Sequence, residues 1–141
     1  MSRADFYQLK STDPASRYPL LCRLLEKAVG AGQQVYIHCQ DDAEASHLDQ
    51  YIWAFKPDSF IAHTTVDAQG QTSVLLGHTK SSASHLPQHN EICINLSQVA
   101  APDSFERIIE LVVQEPDMLK TARARYASYT LAGRTMQYHK L

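Results

Sequence analysis

Gly32-Gln33-Gln34-Val35-Tyr36-Ile37-His38-Cys39-Gln40-Asp41-Asp42-Ala43-Glu44-Ala45 holds the junction that decides the fold. Val35 to Cys39 is a short, nearly continuous apolar run, the form a strand takes when both its faces are buried in a parallel sheet. Two residues on, Asp41 with Glu44 makes a capping box that opens a helix. The buried stripe of that helix is Ala45, Leu48, Ile52 and Phe55. Upstream, Asp5 to Leu9 alternates with aromatics and reads as a strand. Asp13-Pro14 then caps a helix with Leu20, Leu21, Leu24, Leu25 and Ala28 on one face, closing near Gly30 and Gly32. Strand, helix, strand, helix with short joins is the pattern of an α/β fold.

Downstream, Pro57-Asp58 ends the second helix, Ser59 to His63 reads as a short strand, and Gly70 marks a turn before Ser73 to Leu76. Thr79 to Asn90 is a polar loop, and Glu91 to Leu96 is the clearest late strand. Pro102-Asp103 is read as the cap of a helix with Phe105, Ile108, Ile109 and Val112 on one face. Pro116-Asp117 starts a last helix that ends at Gly133 as its left-handed cap. No repeat or linker parts the chain, so residues 1–141 are expected to form a single domain.

An apolar fraction of 44 % with 20 % charged residues excludes a disordered chain. No stretch reaches the roughly 18 uninterrupted apolar residues of a membrane span, and no apolar segment follows Met1, so a cytoplasmic protein is expected. Cys22, Cys39 and Cys93 are odd in number and far apart, which suits buried, reduced thiols.

The net charge of −2 hides a strong polarity. Met118 to Leu141 carry Lys120, Arg123, Arg125, Arg134 and Lys140 and no acid, a local +5. The remaining 8 basic and 15 acidic groups leave residues 1–117 at −7. Such asymmetry steers an anionic partner to one region. Tyr126, Tyr129 and Tyr138 are interleaved with the cations, so apolar surface lies beside the charge.

The common chemistry of α/β folds is missing. Neither G-x-G-x-x-G nor G-x-x-x-x-G-K-[ST] occurs among the five glycines, and there is no G-x-S-x-G elbow. His85, His89 and Cys93 have a ligand-like spacing only on a continuous helix, which Pro87 and the strand-like Ile92-Cys93-Ile94 oppose. His38 and Cys39 are adjacent on a strand and point to opposite faces, so they do not form a catalytic pair. No cofactor and no metal is expected.

On the last helix, Leu119, Ala122, Tyr126 and Tyr129 fall on one face, with Lys120, Arg123 and Arg125 beside it. The pattern serves equally as a core-packing stripe with solvated cations, which also suits the helix dipole, or as a binding surface. A bound partner is then either phosphate backbone with bases stacked on tyrosines, or an acidic peptide whose apolar end fills a pocket. Trp53, at the edge of the second helix's buried face, and Phe60 nearby either cap the core or anchor a protein interface.

Several segments together resemble one family. They are Asp5-Phe6-Tyr7-Gln8-Leu9, Gly32-x-x-Val35-x-Ile37-x-Cys39-x-Asp41 and Ala45-x-x-Leu48-Asp49-x-x-Ile52-Trp53. Asp58-Ser59-Phe60-Ile61-Ala62-His63 and Ala122-Arg123-Ala124-Arg125-Tyr126-x-x-Tyr129-x-x-x-Gly133 complete the set. The chain is similar in these to the chi subunits of bacterial DNA polymerase III, a clamp-loader component. It departs at Ala127, where the family commonly carries Lys, and at Ala62, where it carries Pro; the segment Pro116 to Lys120 is shortened.

The resemblance implies a single Rossmann-like α/β domain, with a mixed, mostly parallel sheet, helices on both faces and no catalysis of its own. It implies two partners: the psi subunit, which ties chi to the clamp loader, and the acidic, phenylalanine-ended C-terminal tail of single-stranded DNA-binding protein. The tail site falls on Arg123, Tyr126 and Gly133, with Lys120, Arg125 and Tyr129 as weaker members; the psi surface includes Trp53 and Phe60. The competing readings are a small nucleotide-binding α/β enzyme built near Asp41 and Asp42, and a direct single-stranded DNA binder.

Overall fold

The computed structural model describes residues 2–55, 63–65, 74–78 and 91–141. Among these residues, seven strands form one sheet: β1 (Arg3–Gln8), β2 (Val35–Cys39), β3 (His63–Thr65), β4 (Val74–His78), β5 (Ile92–Asn95), β6 (Arg107–Val112) and β7 (Thr135–Lys140). Their order is β3-β4-β2-β5-β6-β1-β7. The described residues also hold three helices, α1 (Arg17–Gly30, after a 3-10 turn at Pro14–Ser16), α2 (Asp42–Phe55) and α3 (Pro116–Leu131). The α/β expectation holds, with one refinement: every strand pair is parallel, where a mixed sheet was expected.

The central strands are parallel for the reason their sequence suggests. All five residues of β2 and all four of β5 are buried, because helices or loops cover both faces. Alternation then sorts the side chains. Val35, Ile37 and Cys39 join Ile109 and Leu111 beneath Leu21 and Leu25 of α1 and Ala45, Leu48 and Ile52 of α2. Tyr36 of β2, Cys93 of β5 and Ile108 and Val112 of β6 point the other way, to a second core with Phe6, Phe105, Ala122 and Tyr129. Helices α1 and α2 therefore lie on one face and α3 on the other. The Asp41 cap is present, with Asp41 Oδ1 accepting from Glu44 N at 2.8 Å, and Glu44 Oε1 reaches back one residue beyond the cap to accept from Gln40 N at 2.8 Å.

Two segments differ from their sequence reading. Residues 102–112 were expected as a helix, because Phe105, Ile108, Ile109 and Val112 match its period. The chain instead makes an irregular turn and then β6, whose run Ile108-Ile109-Glu110-Leu111-Val112 is buried throughout, as is Val113 after it. Beta-branched residues favour the pleated, two-sided environment over a helix face. The segment after Gly133, assigned no element from sequence, is strand β7, paired along its length with β1. The expected strand at 59–63 falls largely outside the described residues, which resume at β3.

The three cysteines are free and buried. Burial pushes the Cys22 thiol up to about 12 and raises Cys39 and Cys93 as well, so all three are inert at neutral pH. Tyr36 Oη lies 2.9 Å from His38 Nδ1 on the α3 side, while Cys39 packs on the α1 side. The two neighbours face apart, as strand geometry requires.

Candidate functional site

The site is built by the reversal from α3 into β7. Glu115 caps α3, accepting from the amides of Asp117 (3.2 Å) and Met118 (2.9 Å), and Pro116 fills the first turn. Gly133 adopts φ 87°, which ends the helix and turns the chain back. Arg134 locks this turn: its guanidinium donates to the carbonyls of Asp103 (3.0 Å), Glu106 (3.3 Å) and Arg3 (3.5 Å). β7 then runs alongside β1, with Thr135 N donating to Ser2 O at 3.1 Å and Leu141 N to Gln8 O at 3.0 Å.

Between α3 and β7 lies a groove of about 480 Å³ lined by Gln8, Leu119, Ala122, Arg123, Tyr126, Tyr138 and Lys140. Tyr126 and Tyr138 are 37 % and 44 % exposed, so their rings are open to a partner. Both rest on the fully buried Phe6, with centroids 5.3 and 6.2 Å away, and they meet each other at 6.3 Å. The Tyr138 hydroxyl donates to Gln8 Oε1, which fixes the ring. Burial raises the Tyr138 hydroxyl above its ordinary value, and the positive charge of Arg123 works against that rise across the groove. The arrangement is an aromatic floor with a cation on each wall, Arg123 from the helix and Lys140 from the strand. It suits a short ligand with one apolar group and one or more carboxylates.

The structure separates the residues named from sequence. Arg123 and Tyr126 come together in the groove. Gly133 does not line it and serves by turning β7 into place. Arg125 and Tyr129 face the sheet, in a network centred on Glu110. Glu110 Oε1 lies 3.1 Å from Arg125 Nη2, and Glu110 Oε2 accepts from Tyr129 Oη at 2.7 Å and Asn95 Nδ2 at 2.9 Å. Tyr129 Oη in turn accepts from Ala101 N at 3.1 Å. Burial raises the Glu110 carboxyl above its usual range, although Arg125, Tyr129 and Asn95 all oppose the rise. Arg125 Nε and Nη1 are buried with no hydrogen-bond partner among the described residues.

Lys120 lines a different depression, of about 550 Å³, with Arg17, Leu96, Ser97, Gln98, Glu115 and Arg125. It sits outside the carboxyl ends of β5 and β6, the side on which open α/β sheets usually hold ligands. Its acids and bases are mixed. Asp41, around which a nucleotide site was considered, spends its carboxylate capping α2. Trp53 stands 52 % exposed on α2, across the sheet from the groove, and Phe60 lies outside the described residues, as do His85 and His89.

Sequence reasoning missed Gln8, Tyr138 and Lys140 as partners of the α3 residues. The available signal was the period of two in Thr135-Met136-Gln137-Tyr138-His139-Lys140, which places Tyr138 and Lys140 on one face. Among the described residues, no group of three or more His, Cys, Asp or Glu is arranged to hold a metal. No described helix is long and apolar enough to cross a membrane.

Comparison with known proteins gives a consistent identity. Residues 1–137 match the family described as DNA polymerase III chi subunit, HolC. A protein of Pseudomonas aeruginosa named DNA polymerase III subunit chi is 38 % identical over 144 residues, covering 100 % of this chain and 98 % of the relative. A Haemophilus influenzae protein of the same name is 31 % identical over 134 residues, with 92 % and 91 % covered. The Escherichia coli K12 protein of that name is 28 % identical over 141 residues, with 94 % of each covered. The family match includes the α3 wall of the groove, with Arg123 and Tyr126, and the chain belongs to the chi-subunit family of DNA polymerase III, the accessory subunits of the replicative polymerase.

Proposed function

We propose that this chi subunit is a non-catalytic adaptor that joins single-stranded DNA-binding protein to the clamp loader. In this reading the groove between α3 and β7 takes the acidic, phenylalanine-ended tail of that protein, and the opposite face, around Trp53, takes the psi subunit, with Phe60 as a further expected contact. The observation that carries it is the pairing of two open tyrosines with Arg123 and Lys140 around one groove. The tail's terminal carboxylate meets Arg123, its aromatic ring packs against Tyr126 and Tyr138, and an upstream aspartate meets Lys140. Arg125 and Arg134, both buried, are occupied in holding the fold.

Each contact is short and exposed, so a single tail binds weakly to moderately and loses affinity with salt. Many tails on one coated strand compensate by avidity. The test is calorimetric titration with an acidic peptide ending in phenylalanine, beside a copy lacking that residue, at two salt concentrations. Binding should require the phenylalanine and weaken with salt. Arg123→Glu should lower affinity by about tenfold or more, the scale of a lost charge-assisted hydrogen bond. Its thermal midpoint should stay put, because Arg123 is exposed. Full affinity in Arg123→Glu would remove the groove from consideration.

A further inference from the structure

The outer edge of β7 offers more than the groove uses. In a parallel ladder each residue turns its N–H and C=O to the same side, and successive residues alternate. Thr135 N and Leu141 N donate to β1, so Thr135, Gln137, His139 and Leu141 are the residues turned inward. Met136, Tyr138 and Lys140 turn both groups outward, and β7 is the last strand of the sheet. Among the described residues β7 pairs with β1 and with no other strand. The strand has no proline, and its one edge lysine, Lys140, belongs to the groove, so the usual devices that blunt an edge are scarce.

Two of the three outward residues, Tyr138 and Lys140, are also the ones whose side chains line the groove. A strand added to this edge lies about 4.8 Å from β7. Its alternate side chains stand on the α3 face, beside Tyr138 and within reach of Arg123. We propose that the acidic peptide seated in the groove continues as an eighth strand on β7, its main chain pairing with Met136, Tyr138 and Lys140. This rests on the adaptor reading for the identity of the occupant. Charge favours it, since no acid occurs from Met118 to Leu141. Main-chain pairing asks little of the upstream residues beyond an extended form without proline.

Amide exchange followed by NMR on the full chain, with and without a saturating ten-residue acidic peptide ending in phenylalanine, tests the pairing. In the free chain the amides of Gln137 and His139 should be protected, and those of Met136, Tyr138 and Lys140 should exchange freely. The peptide should slow exchange at all three by about tenfold or more, the extent expected of newly formed hydrogen bonds. A series of peptides with single N-methylated amides should lose affinity at every second upstream position. Met136→Pro, which removes the outward N–H together with a side chain packed on the second core, should weaken the peptide more than Met136→Ala, which removes the side chain alone. A bound peptide that leaves the three amides unprotected, with N-methylation tolerated everywhere, overturns the added strand and leaves the groove reading standing. Failure of the unmodified peptide to bind overturns both.

Discussion

Arg123 and Arg125 are two residues apart on one helix and do opposite things. Measured from the middle of the stripe formed by Leu119, Ala122, Tyr126 and Tyr129, they stand roughly 80° to either side. Nothing in the helix itself chooses between them. The choice is made by Glu110, a carboxylate in β6 that lies under the Arg125 flank and commits that guanidinium to the interior. Because Glu110 sat in a segment with helical spacing, its burial was not legible in the sequence, and neither was the fate of Arg125. Tyr129→Phe separates core from site. It leaves Ala101 N–H and one Glu110 oxygen short of a partner and should cost about 1–3 kcal/mol in a denaturation curve. Peptide affinity should not change, because Tyr129 does not line the groove.

Asp5, like Glu110 a buried acid, also has a measurable signature. Burial works to raise its carboxyl, but Arg107 at 2.7 Å, His139 at 3.4 Å and Arg3 at 3.1 Å outweigh that and bring it below its usual value. A lowered folded value means stability that is present above the unfolded pKa of about 3.9 and is lost as pH falls through the folded value. Asp5→Asn should cost about 1.5–3 kcal/mol near neutral pH. Urea midpoints measured from pH 7 down to pH 3 should fall less steeply in the variant than in the parent.

At the level of elements, the strand and helix order up to residue 55 could be read directly, because β2, α1 and α2 carry clear periods and caps. The reading failed where two periods overlapped. Phe105, Ile108, Ile109 and Val112 satisfy a helix, and only the unbroken burial of residues 108–113 reveals the strand. β7 was missed because an edge strand is covered on one side and keeps a polar composition. Gly133 was legible, since a glycine after a helix is a common left-handed cap. Gly133→Ala meets no atom within 4 Å and so tests backbone strain alone at φ 87°. It should lower stability by about 1–2 kcal/mol and loosen β7, with a matching drop in peptide affinity. Gly77 has a different constraint: a Cβ there would fall 2.9 Å from a ring carbon of Tyr36, which is fully buried beside it.

Across the whole molecule, the polarity of charge was plain from sequence and its use was not. Of the five cations after residue 117, Arg125 and Arg134 are buried in structural roles and Lys120 faces another depression. Arg123 and Lys140 remain at the groove, so the salt response of the peptide should reflect about two charges and not five. The sheet also sets the two proposed surfaces back to back, α2 with Trp53 on one face and α3 on the other. Trp53→Asp should weaken psi in a pull-down titration and leave peptide affinity untouched, so that the two partners bind independently.

The place of β1 between β6 and β7 has a consequence in time. Phe6 and Gln8 leave the ribosome well before either sheet neighbour, since both neighbours come from residues after 106. At about 5–20 residues per second, β1 waits roughly 5–20 s for β6 and longer for β7. During translation it is an uncovered apolar segment that holding chaperones have reason to shield. A chain stalled or cut before residue 135 lacks β7 and never assembles the groove, so whatever the groove binds is bound by finished chains alone.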